Sequence, residues 1–298
     1  MKAAIFLDSA NHDRFFTLLK QFGAGIQACG DAPNFIRGYE KDDSDINIIF
    51  GSWKNRSDTH HIVKSRVIQS GMPFICLETP LLGRRQVSEH ADDEYFRVGI
   101  NGFLFDTGTF NSGNHCSDRW EKLQKDLDIH IQPWRKSGHR IVIALQLPGD
   151  ASLRGQNITE WCYNTANDIR QYTDRPIEIR SPQINRTFDS LYMSRLLKIP
   201  NVSFQDGEKV KLLDSFKNTH ATVTYSSGYA VDSVVNGVPT IACNPGNFTY
   251  NISSNLLKDI NDPKMVDRSE WLANLSYSQW HRSEIESGEA WTHLKGLL

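Results

Sequence analysis

Apolar residues in the first third of the chain fall into short β-prone blocks separated by amphipathic stretches. Residues 2–7 (KAAIFL) form such a block and run into Asp8. In 11–22, Phe15, Leu18, Leu19 and Phe22 recur at helical spacing and give one apolar face. Residues 23–33 are turn-rich, 34–39 predict a second strand and 46–50 (INIIF) a third. A helix over 58–70 and a strand over 72–77 follow. Strands alternating with helices at this spacing build a parallel, doubly wound sheet. Ligands bind such sheets beyond the carboxyl ends of the strands, here Asp8, 51–53 (GSW) and 78–80 (ETP).

The rhythm stops at 80–134, a long segment rich in Gly, Asp and aromatics, which reads as a functional region or as a peripheral insertion. Residues 132–138 (QPWRKSG) read as a linker. The alternation then resumes: strand 139–146 (HRIVIALQ), helix 157–172, strand 176–180, helix 190–197, strand 202–204 and helix 208–216. In 221–251 a strand leads into the turn 225–228 (YSSG). Ala230, Val231, Val234 and Val235 then fall at helical spacing. Gly237 and Pro239 end that helix, and 239–243 supplies a buried strand. Residues 268–298 read as two helices carrying Trp271, Trp280 and Trp291. The fold class is α/β, with two Rossmann-like domains at 1–134 and 139–267 and a helical end at 268–298.

A chain of 298 residues is long enough for two cores. Its net charge of −2 excludes a globally basic nucleic-acid binder and leaves a local basic groove open. No apolar run reaches membrane-spanning length, and Met1-Lys2 leads straight into a strand, so a cytoplasmic location is expected. The five cysteines contain no CxxC pair and fit reduced thiols. Asp43-Ser44-Asp45 precedes its strand and reads as a solvated turn, and Asp126-Leu127-Asp128 is a second Asp-x-Asp triplet. His60-His61 lacks a carboxylate or Cys partner at ligand spacing. No metal and no resident cofactor are expected.

Two stretches carry chemistry. The 225–228 turn places backbone N–H groups and the hydroxyls of Ser226 and Ser227 at a helix N-terminus, where a phosphate is favoured. Asp232, one turn further, would repel a phosphate but suits vicinal hydroxyls, which together suggest a nucleotide or nucleotide-sugar. An ordinary βαβ unit with a serine cap accounts for the same pattern equally well. In 148–155 (PGDASLRG), Gly149 lets the backbone approach a pyrophosphate, Ser152 can donate, and Arg154 offers a bidentate fork. This loop is neither a Walker loop nor GxGxxG.

The spacing Ser226-Ser227, Asp232, Gly237-Val238-Pro239-Thr240 resembles the donor-site signature of GT-B glycosyltransferases. There a Ser/Thr pair opens a helix, an acidic residue follows on it, and Gly-x-Pro begins the next strand. The resemblance implies two Rossmann-like domains facing a cleft, terminal helices crossing back to the first domain, and a UDP-sugar co-substrate such as UDP-glucose. It implies donor binding by Gly149, Ser152, Arg154, Ser226, Ser227, Gly228 and Asp232. It adds Arg180 and Ser181, in the RSP that stands where many sugar-nucleotide enzymes have His-Pro, and Gln205, in the 201–206 segment where backbone groups read the base.

Across the whole chain, 97–103 (RVGINGF), 118–120 (DRW), the 148–155 loop and 269–279 look most like phage-encoded glycosyltransferases that modify DNA bases. That resemblance implies transfer to hydroxymethylcytosine, or to its glucosylated form, in double-stranded DNA within the host cytoplasm. A glycan acceptor, or an inactive nucleic-acid-binding module, are the alternatives. Arg84, Arg85, Arg97, Arg119 and Trp120, with Arg135, would form the acceptor groove, and solvated loops account for the same cluster equally well. Inverting transfer needs a base. Glu78, at a predicted strand end, is the first candidate, ahead of Asp106 and Asp118, and a cap or salt bridge is its alternative role.

Overall fold

The computed structural model describes residues 1–51, 53–54, 57–83, 94–113 and 116–298. In chain order the strands are β1 (Lys2–Phe6), β2 (Ala32–Ile36), β3 (Ile46–Phe50), β4 (Phe74–Glu78), β5 (Tyr95–Ile100), β6 (Arg140–Ala144), β7 (Ile177–Ser181), β8 (Val202–Asp206), β9 (Thr219–Thr224), β10 (Thr240–Ala242) and β11 (Gln279–His281). The helices are α1 (Asp13–Ala28), α2 (Thr59–Gln69), α3 (Asp118–Asp126), α4 (Ile158–Ile169), α5 (Ile184–Thr187), α6 (Ser190–Leu196), α7 (Leu212–Phe216), α8 (Tyr229–Val235), α9 (Ser269–Ser276), α10 (Arg282–Ser287) and α11 (Glu289–Lys295). They divide into two Rossmann-like units, Met1–Asp128 with Ser269–Leu298, and Ile129–Arg268.

In the first unit the strand order is β11-β5-β4-β3-β1-β2. β1 to β4 pair in parallel, whereas β5 and β11 add antiparallel strands at one edge. The chain leaves β1 for β2 on one side and returns to β3 on the other, so the order reverses between β1 and β3. The α1 face read from the sequence buries Leu18, Leu19 and Phe22 against β1 and β3. Trp280, Ile285 and Trp291, from the far end of the chain, complete the same core. α10 packs so closely on α1 that a side chain at Gly25 would collide with the Ile285 carbonyl oxygen.

The second unit is a parallel sheet ordered β10-β9-β6-β7-β8, with its reversal between β6 and β9. Ile141, Ile143, Ile177, Ile179 and Val223 from the strands bury against Cys162, Ala166 and Ile169 of α4. Asn157 caps α4, its side chain accepting from the N–H groups of Thr159 and Glu160.

Several expectations need correction. The segment read as irregular holds β5 and α3, and the helical end holds β11 as well as α9, α10 and α11. The strand expected at 34–39 lies at Ala32–Ile36. The helix expected from 208 starts only at Leu212, because 207–209 form a turn. The supposed linker is packed backbone: Gln132 N–H donates to Val235 O (2.9 Å), Arg135 N–H to Gly237 O (2.7 Å), and Trp134 Nε1 to Val266 O (2.8 Å). Among the described residues no helix is long and apolar enough to cross a membrane.

Candidate functional site

A doubly wound sheet binds ligands where its strand order reverses. In the second unit that places the crevice beyond the ends of β6 and β9, and the polar residues following those two strands meet there. Gln146, two residues past β6, donates from Nε2 to Ser226 Oγ (2.8 Å) and to Ser152 Oγ (3.0 Å). Ser226 Oγ in turn donates to Ser152 O (2.7 Å). Ser152 Oγ and N–H both donate to Asp150 Oδ1, at 2.6 and 2.9 Å. The 148–155 loop and the 225–228 turn are thus joined through one glutamine.

The loop keeps its shape through positive φ at Gly149, Arg154 and Gly155, and Arg154 is exposed to solvent. At the start of α8, Ser227 Oγ accepts from Tyr229 N–H (3.3 Å), Gly228 is the N-cap residue, and Asp232 is buried in the first turn. Buried Asn247, from the loop after β10, donates to Thr224 Oγ1 (2.8 Å) and ties that loop to the end of β9. Ser152 and Ser226 thus meet at the ends of β6 and β9, with Gly149 and Arg154 on the 148–155 loop and Ser227, Gly228 and Asp232 on the turn and helix that follow β9.

Arg180, Ser181 and Gln205 take other positions. Arg180 and Gln205 are register partners on β7 and β8, and both are buried. The guanidinium donates to Gln205 Oε1 and to Val210 O (3.0 Å), so it braces the ends of these strands. Ser181 is wholly buried and shares a 2.6 Å hydrogen bond with Thr187 Oγ1. These three side chains lie at the carboxyl ends of β7 and β8, with hydrogen bonds to neighbouring protein groups.

In the first unit Glu78 ends β4, half-buried, its Oε1 accepting from Thr79 N–H (2.8 Å) and Thr79 Oγ1 (3.2 Å). Two buried cations flank it. Arg97 is its register partner on β5. On the other side, Gly51 N–H donates to Leu77 O (2.6 Å), and the Lys64 ammonium would stand 3.1 Å from a side chain at Gly51. Burial pulls the Lys64 pKa down, while Glu78 and Cys76 pull it up. Asp106 and Asp118 are exposed, in a turn and at the start of α3.

The cations expected to face an acceptor are mostly internal. Arg97 is buried, its guanidinium carbon 5.7 Å from the centre of the Phe103 ring. Arg119 lies 3.6 Å over Trp280 and donates to Ser276 O, Gln279 O and Glu284. Trp120 is core. Arg135 donates to Phe216 O and Thr219 O. Arg84 and Arg85 lie outside the described residues.

His60-His61 does have a carboxylate partner: a ligating atom of Asp58 lies within 4.8 Å of one on each histidine. The cluster sits at the N-terminus of α2, with Lys54 N–H donating to His61 Nδ1 (3.3 Å). The helix dipole and the nearby Lys54 and Lys64 make this a poor environment for a cation.

Sequence reasoning passed over Gln146 and Lys64. Signals for both were present: a glutamine closing the apolar run HRIVIAL, and a lysine on the same helix face as Val67.

No family model and no curated protein matches the chain. A number of solved structures do, two of them Kdo transferases. The β-Kdo 2,7-transferase of Thermosulfurimonas dismutans KpsC aligns with a TM-score of 0.58 at 11% identity, over 100% of this chain and 99% of that one. The β-Kdo 2,4-transferase of the same protein aligns with a TM-score of 0.53 at 12% identity, over 93% and 90%. At this identity the likeness is one of fold.

Proposed function

We propose that this chain is a glycosyltransferase that takes a sugar from a UDP-sugar. The observation that carries the reading is the strand-end region of the second unit, where a polar loop and a Ser-Ser-Gly turn are joined through Gln146 at the sheet's reversal point and Asp232 is buried on the helix that follows. Arg154, exposed on the loop, is assigned to the diphosphate. Asp232 is assigned to sugar or ribose hydroxyls. Glu78 is assigned to proton removal from the acceptor, because it stands at the carboxyl end of a parallel strand. The shared fold with two Kdo transferases supports sugar transfer as the chemistry.

For the acceptor we take a carbohydrate hydroxyl before a modified base in DNA. A phosphate-tracking groove needs exposed cations, and among the described candidates Arg97, Arg119 and Arg135 are engaged internally. The deciding experiment incubates the protein with a panel of UDP- and CMP-sugars. Each is paired with oligosaccharides, with unmodified DNA or with hydroxymethylated and glucosylated DNA, and nucleotide release is measured. UDP release with an oligosaccharide is the expected result. Release only with modified DNA, with acceptor affinity falling on salt by a log–log slope of about −0.9 per phosphate, would restore the DNA acceptor. Glu78→Gln should lower kcat by about 10²–10⁴-fold with UDP binding intact. Turnover near the wild-type rate would make Glu78 structural.

A further inference from the structure

The hydrogen bonds around Gln146 have a direction. Ser226 gives its proton to a backbone carbonyl and Ser152 gives its proton to a carboxylate, and neither of those acceptors can donate in return. Both hydroxyls can therefore only accept from Gln146, which fixes the amide with its NH₂ toward the serines. The amide oxygen is left on the other side, buried and without a hydrogen-bond partner among the described residues. An orphaned buried carbonyl is destabilising until a donor reaches it. A phosphate oxygen cannot be that donor, because it offers only lone pairs at neutral pH. The serines cannot serve a phosphate either without breaking their own bonds.

We infer that Gln146 is a specificity-determining residue of this crevice: its side-chain Oε1 accepts a hydrogen bond from a hydroxyl of the bound nucleotide-sugar. The Ser152–Ser226 corner then holds Gln146 in position and reads a hydroxyl, while the diphosphate is left to Arg154. This rests on the donor-site reading above. The hydroxyl belongs to the ribose or to the transferred sugar, and the two sources behave differently in titration.

The test is calorimetric titration of wild-type protein and Gln146→Met with UDP, 2′-deoxy-UDP, 3′-deoxy-UDP and UDP-glucose. Methionine keeps the length of the side chain and removes both its donor and its acceptor. A ribose contact predicts that Gln146→Met weakens UDP and UDP-glucose alike by about tenfold. One deoxy analogue should then bind wild type about tenfold more weakly than UDP and bind the variant no worse than UDP. A contact to the transferred sugar predicts loss for UDP-glucose alone. The inference is overturned if a folded Gln146→Met, checked by thermal melting, binds UDP and UDP-glucose as wild type does. Should the variant not fold, the wild-type protein still decides. Equal affinity for UDP, both deoxy analogues and UDP-glucose means that no hydroxyl of either source is read. Wild type that binds neither UDP nor UDP-glucose instead removes the donor-site reading itself, a result distinct from unchanged binding in the variant.

Discussion

His61 is held in a place that resists its charge. It is buried at the start of α2, and burial first, then Lys64, His60 and Lys54, push its pKa from 6.5 down to about 4, against a smaller pull from Asp58. Between those two values the unfolded chain binds a proton that the folded chain does not. Stability is therefore complete above about pH 6.5 and falls as the pH is lowered toward 4. Urea midpoints measured between pH 7.5 and 4.5 should show this decline in wild type and a shallower one in His61→Gln. Parallel curves would mean that the histidine already titrates normally in the folded state. At this scale the sequence revealed residue types but not what each side chain was bound to. Arg180 and Ser181 had the right chemistry for a nucleotide, yet their hydrogen bonds go to Val210 O and Thr187. Gln146 looked like the end of a strand, and only its two serine partners give it a direction.

At the scale of elements, α3 serves as a bracket. Arg119, in its first turn, reaches the end of α9 through Ser276 O (2.9 Å), β11 through Gln279 O and α10 through Glu284 (3.0 Å). Lys122, three residues later, reaches the same carboxylate at 2.9 Å. Glu284 also closes the cap of α10, accepting from His281 N–H at 2.7 Å. Burial alone would raise its pKa, but the Arg119 fork, that N–H and Lys122 outweigh it and lower the carboxyl from 4.5 to about 2. Its contribution to stability is present above about pH 4.5 and is lost as the pH falls toward 2. Glu284→Ala leaves a buried guanidinium uncompensated and should cost about 3–5 kcal/mol in chemical unfolding at pH 7. Trp280 fluorescence should change with it, because the arginine stacks on that ring. An unchanged midpoint would make the ion pair incidental. The helices and parallel strands were readable because their periodicity is local. β11 spans three residues and owes its existence to β5, which is distant in sequence. The DRW motif had the look of a recognition surface for a related reason: the groups that bury it lie at 276–284.

For the whole molecule, the two units differ in how the chain supplies them. Ile129–Arg268 is one continuous stretch, whereas the first unit is assembled from both ends of the sequence. The second core, built from Ile141, Ile143, Ile177, Ile179, Val223 and α4, draws among the described residues on nothing outside 129–268. The first core requires Trp280, Ile285, Trp291 and Leu294. All four are large apolar side chains, and removal of one such core side chain already costs about 2–5 kcal/mol, a large part of a domain's total of about 5–15 kcal/mol. A fragment covering 129–268 should therefore fold cooperatively and bind UDP about as well as the full chain, since the proposed crevice lies wholly within it. A fragment covering 1–128 should fail to fold and should recover when 269–298 is joined to it through a short flexible linker. Circular dichroism melts and UDP titrations on the three fragments check this. If 1–128 folded alone, α10, α11 and β11 would be an addition to a self-sufficient domain and not part of its core. If 129–268 folded but lost UDP affinity, the nucleotide would need residues from the first unit, and the crevice at the reversal of its own sheet would be an incomplete site.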